Sequence, residues 1–201
     1  EMKESIQHPF GIHTHNDGEC AVINALLAVR EGAIQVQGTI NGVGERCGNA
    51  NLCSVMANLE LKMGRQCLPE GRLHKLYELS HVVDEVANVT PNDHLPYVGK
   101  SAFAHKGGVH GAAVAKVERS YQHVDPTLVG NEGRLVVSEL GGKANTRIRA
   151  EQLGMRLEGV VDPQVLSRLI KRLESEGAAF EGAEASFELL IRRHSPAYQA
   201  P

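Results

Sequence analysis

The first 65 residues alternate between two hydrophobic patterns, one with the period of a helix and one with the period of a strand. Apolar side chains recur every three or four positions over residues 21–30 and 51–63, as on one face of an amphipathic helix. Residues 10–15 form a short strand candidate, and residues 34–40 alternate with the period of two that is typical of strands. This order, strand–helix–strand–helix, predicts an α/β fold with a parallel sheet and helical crossovers.

Beyond residue 65 the pattern becomes mostly helical. Four further helices are predicted, over residues 72–87, 143–153, 163–176 and 182–193, with one short strand at 135–137. We therefore expect three parts, which are an α/β region over 1–65, a helical segment over 66–124 and a second, mostly helical segment over 125–201.

Composition and charge narrow the classes of partner. The chain has 201 residues, of which 42% are hydrophobic, and a formal charge of −3. No apolar run has the length of a membrane span, so no membrane partner is expected. The near balance of 21 basic and 24 acidic residues, without a dense Lys/Arg tract, argues against nucleic acid as a partner. Four cysteines without a paired framework fit a reducing compartment, so a cytoplasmic location is expected.

Two histidines end the first predicted strand, in the motif HTHND over residues 13–17. Residues two positions apart on a strand point to the same face, so His13 and His15 present their imidazoles side by side. Neutral imidazole is a common ligand of divalent metals. A bare pair of this kind is equally compatible with two surface histidines that bind nothing, and both interpretations stay open at this point.

A glycine-rich loop follows the second predicted strand, with the sequence GERCGNAN over residues 44–51. Loops after the strands of barrels and doubly wound sheets are where ligands bind. Glycine lets a backbone approach a ligand closely, and Asn49 offers a hard carbonyl oxygen. The glycine spacing matches neither a dinucleotide fingerprint nor a P-loop. The alternative is an ordinary turn, stiffened by an ion pair between Glu45 and Arg46.

A third motif, HKGGVH over residues 105–110, places two titratable imidazoles on either side of a flexible Gly-Gly. His105 and His110 would suit general acid–base chemistry near neutral pH. A capped loop with two solvated histidines is an equally good interpretation of these residues alone.

Four stretches of the sequence resemble one enzyme family. GIHTHND over 11–17 and QGTINGVGERCGN over 37–49 are similar to the seventh- and eighth-strand motifs of the 2-isopropylmalate synthase, homocitrate synthase and citramalate synthase family. SAFAHKGGVH over 101–110 and FEGAEASFELL over 180–190 resemble the subdomains that follow the barrel in that family. These two runs, together with Gly-Glu at 18–19, favour the citramalate synthase branch.

The resemblance implies a fold and a reaction. Residues 1–65 would be the last two β/α units of a TIM barrel, followed by mostly helical α+β linker subdomains. Members of the family are metal-dependent acyltransferases that condense acetyl-CoA with a 2-oxo acid. In the citramalate branch that acid is pyruvate and the product is (R)-citramalate, in branched-chain amino-acid (isoleucine and leucine) biosynthesis. A homodimer and a divalent metal (Mn²⁺, Mg²⁺ or Zn²⁺) are implied as well.

The resemblance also implies roles for six residues. His13, His15 and Asn49 would be the metal ligands. His110 matches a subdomain histidine that reaches into the active site of the neighbouring protomer, with His105 as a weaker candidate for the same acid–base relay. Glu45 would lie behind the metal ligands or on the CoA side.

The sequence also departs from the family. The first barrel strand of these enzymes carries a motif of roughly the form D-x-T-x-R-D-G, which supplies an Asp ligand and an Arg, and the chain has no such run. A barrel needs about 250 residues, so we expect a fragment with little or no synthase activity alone. Three alternatives remain, which are a 2-isopropylmalate synthase, a non-catalytic dimerisation module and a metal-dependent hydrolase of the amidohydrolase type. The hydrolase is the least consistent with the helical pattern after residue 65.

Overall fold

The structure is a computed structural model that describes residues 8–105, 122–135, 143–155, 157, 161–180 and 183–195. Two compact units are present, the first comprising Glu1–Phe103 with Val124–Glu132 and the second comprising Ala104–His123 with Gly133–Pro201. The sequence-based division into three parts stays a prediction. Among the described residues, no helix combines the length and the apolar character that crossing a membrane requires.

In the first unit, the described residues begin with two β/α repeats and continue with helices. Its regular elements are β1 (Gly11–His13), α1 (Ala21–Arg30), β2 (Gln35–Gln37), α2 (Leu52–Met63) and α3 (Leu76–Ala87), with short 3₁₀ turns at Ile40–Gly42, Leu73–Lys75 and Pro126–Val129. β1 and β2 pair in parallel, with Ile12 opposite Val36. The expected parallel α/β order at the start of the chain is thus confirmed.

β2 is shorter than the sequence pattern indicates, and Gly38 shows why. A Cβ at Gly38 would lie 2.4 Å from the carbonyl oxygen of Ala50, so the backbone runs close to another segment at the point where the strand ends. The next residue, Thr39, donates its N–H to that same oxygen at 3.1 Å. The alternating pattern continues to residue 40, but its last three positions leave the sheet because their backbone pairs elsewhere.

α2 is buried on two sides, each of which packs in a different hydrophobic cluster. Val55 and Leu59 pack with buried alanines of α1. Cys53 and Ala57 face a second cluster that includes Leu76 of α3. The helix begins after Asn51, whose side chain accepts a hydrogen bond from the N–H of Cys53 at 2.9 Å. The loop that ends at Asn51 is therefore tied at its carboxyl end to a rigid helix.

In the second unit, the described residues form a two-stranded parallel sheet and three helices. Its elements are β3 (Ala104–His105), β4 (Arg134–Leu135), α4 (Lys143–Gln152), α5 (Pro163–Ser175) and α6 (Glu184–Arg193). α5 begins with Pro163, and the side chain of Asp162 accepts from the N–H of Gln164 at 2.8 Å. The core comprises Leu166 and Ile170 from α5 and Phe187 from α6, all almost fully buried. The three helices occur where the sequence predicts them, within one or two residues at each end.

Candidate functional site

The two histidines of the HTHND motif face each other at the end of β1. The Nε2 atoms of His13 and His15 lie 3.3 Å apart, and the two rings meet edge to face with centroids 5.0 Å apart. Both side chains are exposed to solvent. The structure therefore brings together the two imidazoles that strand geometry predicts to share a face.

Asn49 lies directly opposite His15. The two residues form an isolated antiparallel bridge. On one side of it the N–H of Asn16 donates to the carbonyl oxygen of Gly48 at 2.9 Å, and on the other the N–H of Ala50 donates to Thr14 at 3.1 Å. Backbone hydrogen bonds thus hold together the loops that follow β1 and β2, which carry the predicted metal ligands.

Glycine at two positions gives the second loop its shape. Gly48 has a φ of +90°, and a Cβ there would lie 2.0 Å from the carbonyl oxygen of Gly42. Gly44 has no such strain, but its Cβ would lie 2.6 Å from Nδ2 of Asn49. The N–H of Asn49 donates to Gly42 at 3.0 Å. Gly48 therefore allows the turn to close, while Gly44 leaves room for the carboxamide of Asn49.

The carboxamide oxygen of Asn49 is buried and accepts no hydrogen bond from the part of the chain that the structure describes. Such an acceptor costs about 1–3 kcal/mol if nothing satisfies it. A divalent cation held with His13 and His15 would satisfy it, because imidazole nitrogens and a carbonyl oxygen are suitable ligands for Zn²⁺ or Mn²⁺.

The spacing of the two histidine nitrogens also fits one ion. Two ligands at about 2.0–2.1 Å from a tetrahedral ion lie about 3.4 Å apart, close to the observed 3.3 Å between the Nε2 atoms of His13 and His15. A direct hydrogen bond between the rings would give a similar distance. No group of three or more His, Cys, Asp or Glu that could hold a metal occurs among the described residues. The two histidines and Asn49 are therefore an incomplete ligand set.

An ion pair between the two loops was missed by the sequence analysis. Nε and Nη2 of Arg46 donate to the two carboxylate oxygens of Asp17 at 2.7 and 3.1 Å, whereas Glu45 lies 3.7 Å from Nη1. The hydrogen bond from Arg46 lowers the pKa of Asp17 below its usual value. The sequence did contain a signal for this ion pair. Asp17 lies two residues after His15, and Arg46 lies three residues before Asn49, so residues of opposite charge stand beside the predicted ligands.

The remaining predicted residues are not brought into this cluster by the described contacts. The side chain of Glu45 is 78% exposed, and its Oε1 lies 3.7 Å from Nη1 of its neighbour Arg46. His105 lies in β3 of the second unit and is half-buried. His110 lies outside the described residues. The roles suggested for these three residues stay predictions.

Two family models match successive parts of the chain. The HMGL-like model matches residues 1–83, and the homocitrate synthase post-HMGL domain-like model matches residues 97–177. The first match ends within α3 and the second begins ten residues after that helix, so the boundary between the two models lies within the first unit.

Curated relatives cover most of the chain. The (R)-citramalate synthase of Geobacter sulfurreducens is 54% identical over 195 residues, which are 96% of this chain and 37% of that protein. The (R)-citramalate synthase of Aquifex aeolicus is 52% identical over 92% of this chain and 35% of its own length. The homocitrate synthase of Pyrococcus abyssi is 33% identical over 86% of this chain and 45% of its own length.

The chain spans about a third of the length of the (R)-citramalate synthases that it matches. Identities of 50–54% to four such enzymes are well above the 33–34% found with homocitrate and 2-isopropylmalate synthases. The chain therefore belongs to the HMGL-like family, in the group that contains the (R)-citramalate, homocitrate and 2-isopropylmalate synthases.

Proposed function

We propose that this chain forms the metal-binding end of an enzyme that condenses acetyl-CoA with pyruvate to give (R)-citramalate. The observation that carries the proposal is the cluster of His13, His15 and Asn49 after two adjacent parallel strands, with the carboxamide oxygen of Asn49 buried and unsatisfied within the described chain. The 54% identity to an (R)-citramalate synthase supports the choice of reaction. In this proposal β1 and β2 are the last two strands of a TIM barrel.

The chemistry proposed is a Claisen condensation. A divalent ion at the cluster (Mn²⁺, Mg²⁺ or Zn²⁺) supplies Lewis acidity for the ketone of the 2-oxo acid. A base removes a proton from the methyl group of acetyl-CoA, and the resulting carbanion forms a bond to the ketone carbon. The π bond of the ketone breaks as this bond forms, and its oxygen takes up a proton to become the hydroxyl group of the product. Hydrolysis of the thioester then releases CoA and the dicarboxylic acid, which makes the overall reaction irreversible.

The chain's own residues have distinct tasks in this scheme. His13 and His15 would hold the ion through ring nitrogens, and Asn49 would add its carbonyl oxygen. The pair of Asp17 and Arg46 keeps the two loops that carry these ligands in register.

Three further roles rest on the family resemblance alone. His110, from the neighbouring protomer of a homodimer, and His105 as a weaker candidate transfer protons. Glu45 lies behind the ligands or on the CoA side. We also propose that the enzyme is cytoplasmic and acts in isoleucine biosynthesis. Residues 66–124 and 125–201 are its two helical subdomains in this proposal.

The first test measures metal binding by the 201-residue chain. Titration with Co²⁺, followed by its visible absorption, is expected to show one site per chain. His13→Ala should weaken binding at least tenfold, since a ligand is removed. His94→Ala is the matched control, because His94 is exposed and outside the cluster. A stable dimer that binds no metal would instead support the dimerisation module.

The second test measures the reaction. The full encoded protein that contains these residues is assayed for thiol release from acetyl-CoA with pyruvate and, separately, with 2-oxoisovalerate. Preference for pyruvate is expected, with loss of activity in His13→Ala and normal activity in His94→Ala. Preference for 2-oxoisovalerate would replace the proposed substrate with that of a 2-isopropylmalate synthase, a name that a 34% identical relative from Methanopyrus kandleri carries.

A further inference from the structure

Asn41 lies in the 3₁₀ turn after β2, and its side chain forms hydrogen bonds with residues of two helices. Its Nδ2 donates to the carbonyl oxygen of Ser80 at 2.9 Å and to Oδ1 of Asp84 at 2.8 Å. Its Oδ1 accepts from the hydroxyl of Ser80 at 2.7 Å and from Sγ of Cys53 at 3.6 Å. Both N–H groups and both lone pairs of the carboxamide are therefore used.

The backbone of Asn41 connects this network to the candidate metal site. Asn41 has φ +60° and ψ +7°, the left-handed conformation that asparagine tolerates better than most residues. The next residue, Gly42, accepts the hydrogen bond from the N–H of Asn49 at 3.0 Å. A short path thus runs from Ser80 and Asp84 of α3 through Asn41 and Gly42 to a predicted ligand.

The burial of the partners makes simple packing a poor explanation. Ser80 is 1% exposed and Asp84 is 5% exposed, and α3 provides both. Burying a carboxylate is costly, and among the described residues Asp84 forms no ion pair with a Lys or Arg. Networks of this kind fix one geometry when every member is satisfied. An apolar contact between the loop and α3 would have held the two together without fixing the direction of the backbone at Asn41.

We propose that Asn41, Ser80 and Asp84 form a positioning anchor through which α3 fixes the loop that presents Asn49 to the metal site. The part of this inference that concerns metal affinity rests on the proposed function. The hydrogen bonds that the described residues form with the side chain of Asn41 all come from α2 and α3, so Asn41 acts through Gly42 and Asn49 and is a positioning residue.

The decisive variant is Asn41→Gly, because glycine adopts φ +60° without strain and the change removes the side chain that forms the network. The matched control is Asn88→Gly. Asn88 is also an asparagine in the left-handed conformation, at φ +53°, but it is exposed at the end of α3 and its side chain forms no hydrogen bond within the described chain.

The primary readout is hydrogen exchange of the Asn49 amide, measured by NMR on the 201-residue chain. Asn41→Gly is expected to accelerate this exchange at least tenfold, whereas Asn88→Gly leaves it unchanged. Because the readout needs no metal, it judges the anchor even if the chain binds none. Unchanged exchange of Asn49 in Asn41→Gly would overturn the anchor, while a wild-type chain that binds no Co²⁺ would overturn the proposed function alone.

The second readout is the Co²⁺ absorption spectrum and affinity. If Asn41 only stabilises the fold, a folded Asn41→Gly chain should keep the wild-type spectrum. If it positions Asn49, affinity falls about tenfold and the spectrum changes.

Rescue by an exchanged pair adds a second criterion. Asn41→Asp places a carboxylate against Asp84, and binding should weaken at least tenfold. Adding Asp84→Asn restores a carboxamide–carboxylate contact but not the hydrogen bond to the carbonyl oxygen of Ser80, so it should recover part of that loss. Absence of any recovery, together with a wild-type spectrum in Asn41→Gly, would refute the link to the metal site.

Discussion

Gly44→Ala places a methyl group where the carboxamide of Asn49 lies, and it therefore tests the predicted ligand directly. The new Cβ would lie 2.6 Å from Nδ2, 2.8 Å from Cγ and 3.0 Å from Oδ1 of Asn49. Gly44 is not in the left-handed region, so alanine introduces no backbone strain there. The clash involves the end of one side chain, which is free to turn away.

The size of the effect follows from these distances. A carbon–nitrogen contact normally measures about 3.5 Å, so the carboxamide must move by about 0.9 Å. Metal–ligand distances tolerate about 0.2 Å, and the oxygen of Asn49 is therefore lost as a ligand. We expect Co²⁺ affinity to fall at least tenfold, or about 1.4 kcal/mol. The free energy of unfolding should fall by less than about 2 kcal/mol, since overpacking is partly offset by the lower entropy of the unfolded chain.

The assay compares three glycine-to-alanine variants by Co²⁺ titration and urea unfolding. Gly18→Ala is the matched control, because a Cβ there meets nothing within 4 Å and the loop also borders the site. Gly48→Ala is the opposite case. It combines a φ of +90° with a Cβ 2.0 Å from a backbone carbonyl, and we expect it to lower stability by more than about 3 kcal/mol.

Two results would refute this reasoning. Wild-type Co²⁺ affinity in a folded Gly44→Ala chain would mean that Asn49 is not a ligand. A loss of stability as large as that of Gly48→Ala would mean that the backbone of the loop, rather than the side chain of Asn49, responds to the methyl group.

Three further predictions concern other parts of the chain. Burial and, secondarily, the carboxylate of Glu60 raise the pKa of Cys67 to about 11, so its labelling by iodoacetamide should be slow at pH 8 and rise about tenfold per pH unit until it levels off near pH 11. Glu60→Gln lowers that pKa and should speed labelling, as measured by peptide mass spectrometry; an unchanged rate would contradict the assignment. Asp17→Asn removes an exposed ion pair, so the urea midpoint should barely change while Co²⁺ affinity falls about two- to tenfold. Equal affinity would show that the pair with Arg46 does not hold the loops. Phe187→Ala empties a fully buried position and should lower the free energy of unfolding by about 3–5 kcal/mol, and a loss below about 1 kcal/mol in urea unfolding would show that α6 is not packed as described.

Local pattern was sufficient for most elements of the fold. The helices near 51–63 and 163–176 were predictable because their apolar spacing and their caps act together, with Asn51 and Asp162 each accepting a backbone N–H. The end of β2 was not predictable. The alternation continues to residue 40, and the early end depends on where the distant carbonyl of Ala50 lies.

The candidate site was half predictable. His13 and His15 share a face because the period of a strand is two, and that needs no tertiary information. The ion pair between Arg46 and Asp17 could not be predicted from the sequence. Glu45 is adjacent to Arg46 in the sequence, so an Arg46–Glu45 pair was the expected one. The Asn41 network was equally hidden, because its partners lie 39 and 43 residues further along.

The sequence by itself determined the alternation of strands and helices, the pair of histidines and the family to which the motifs belong. These follow from local periodicity and from short runs of residue types. Only the tertiary structure decided that Asn49 lies opposite His15, that its carboxamide oxygen is buried, and that α3 holds the turn at Asn41. The physical reason is that each of these contacts joins segments that are distant in sequence, and the path of the backbone between them is set by packing of the whole unit.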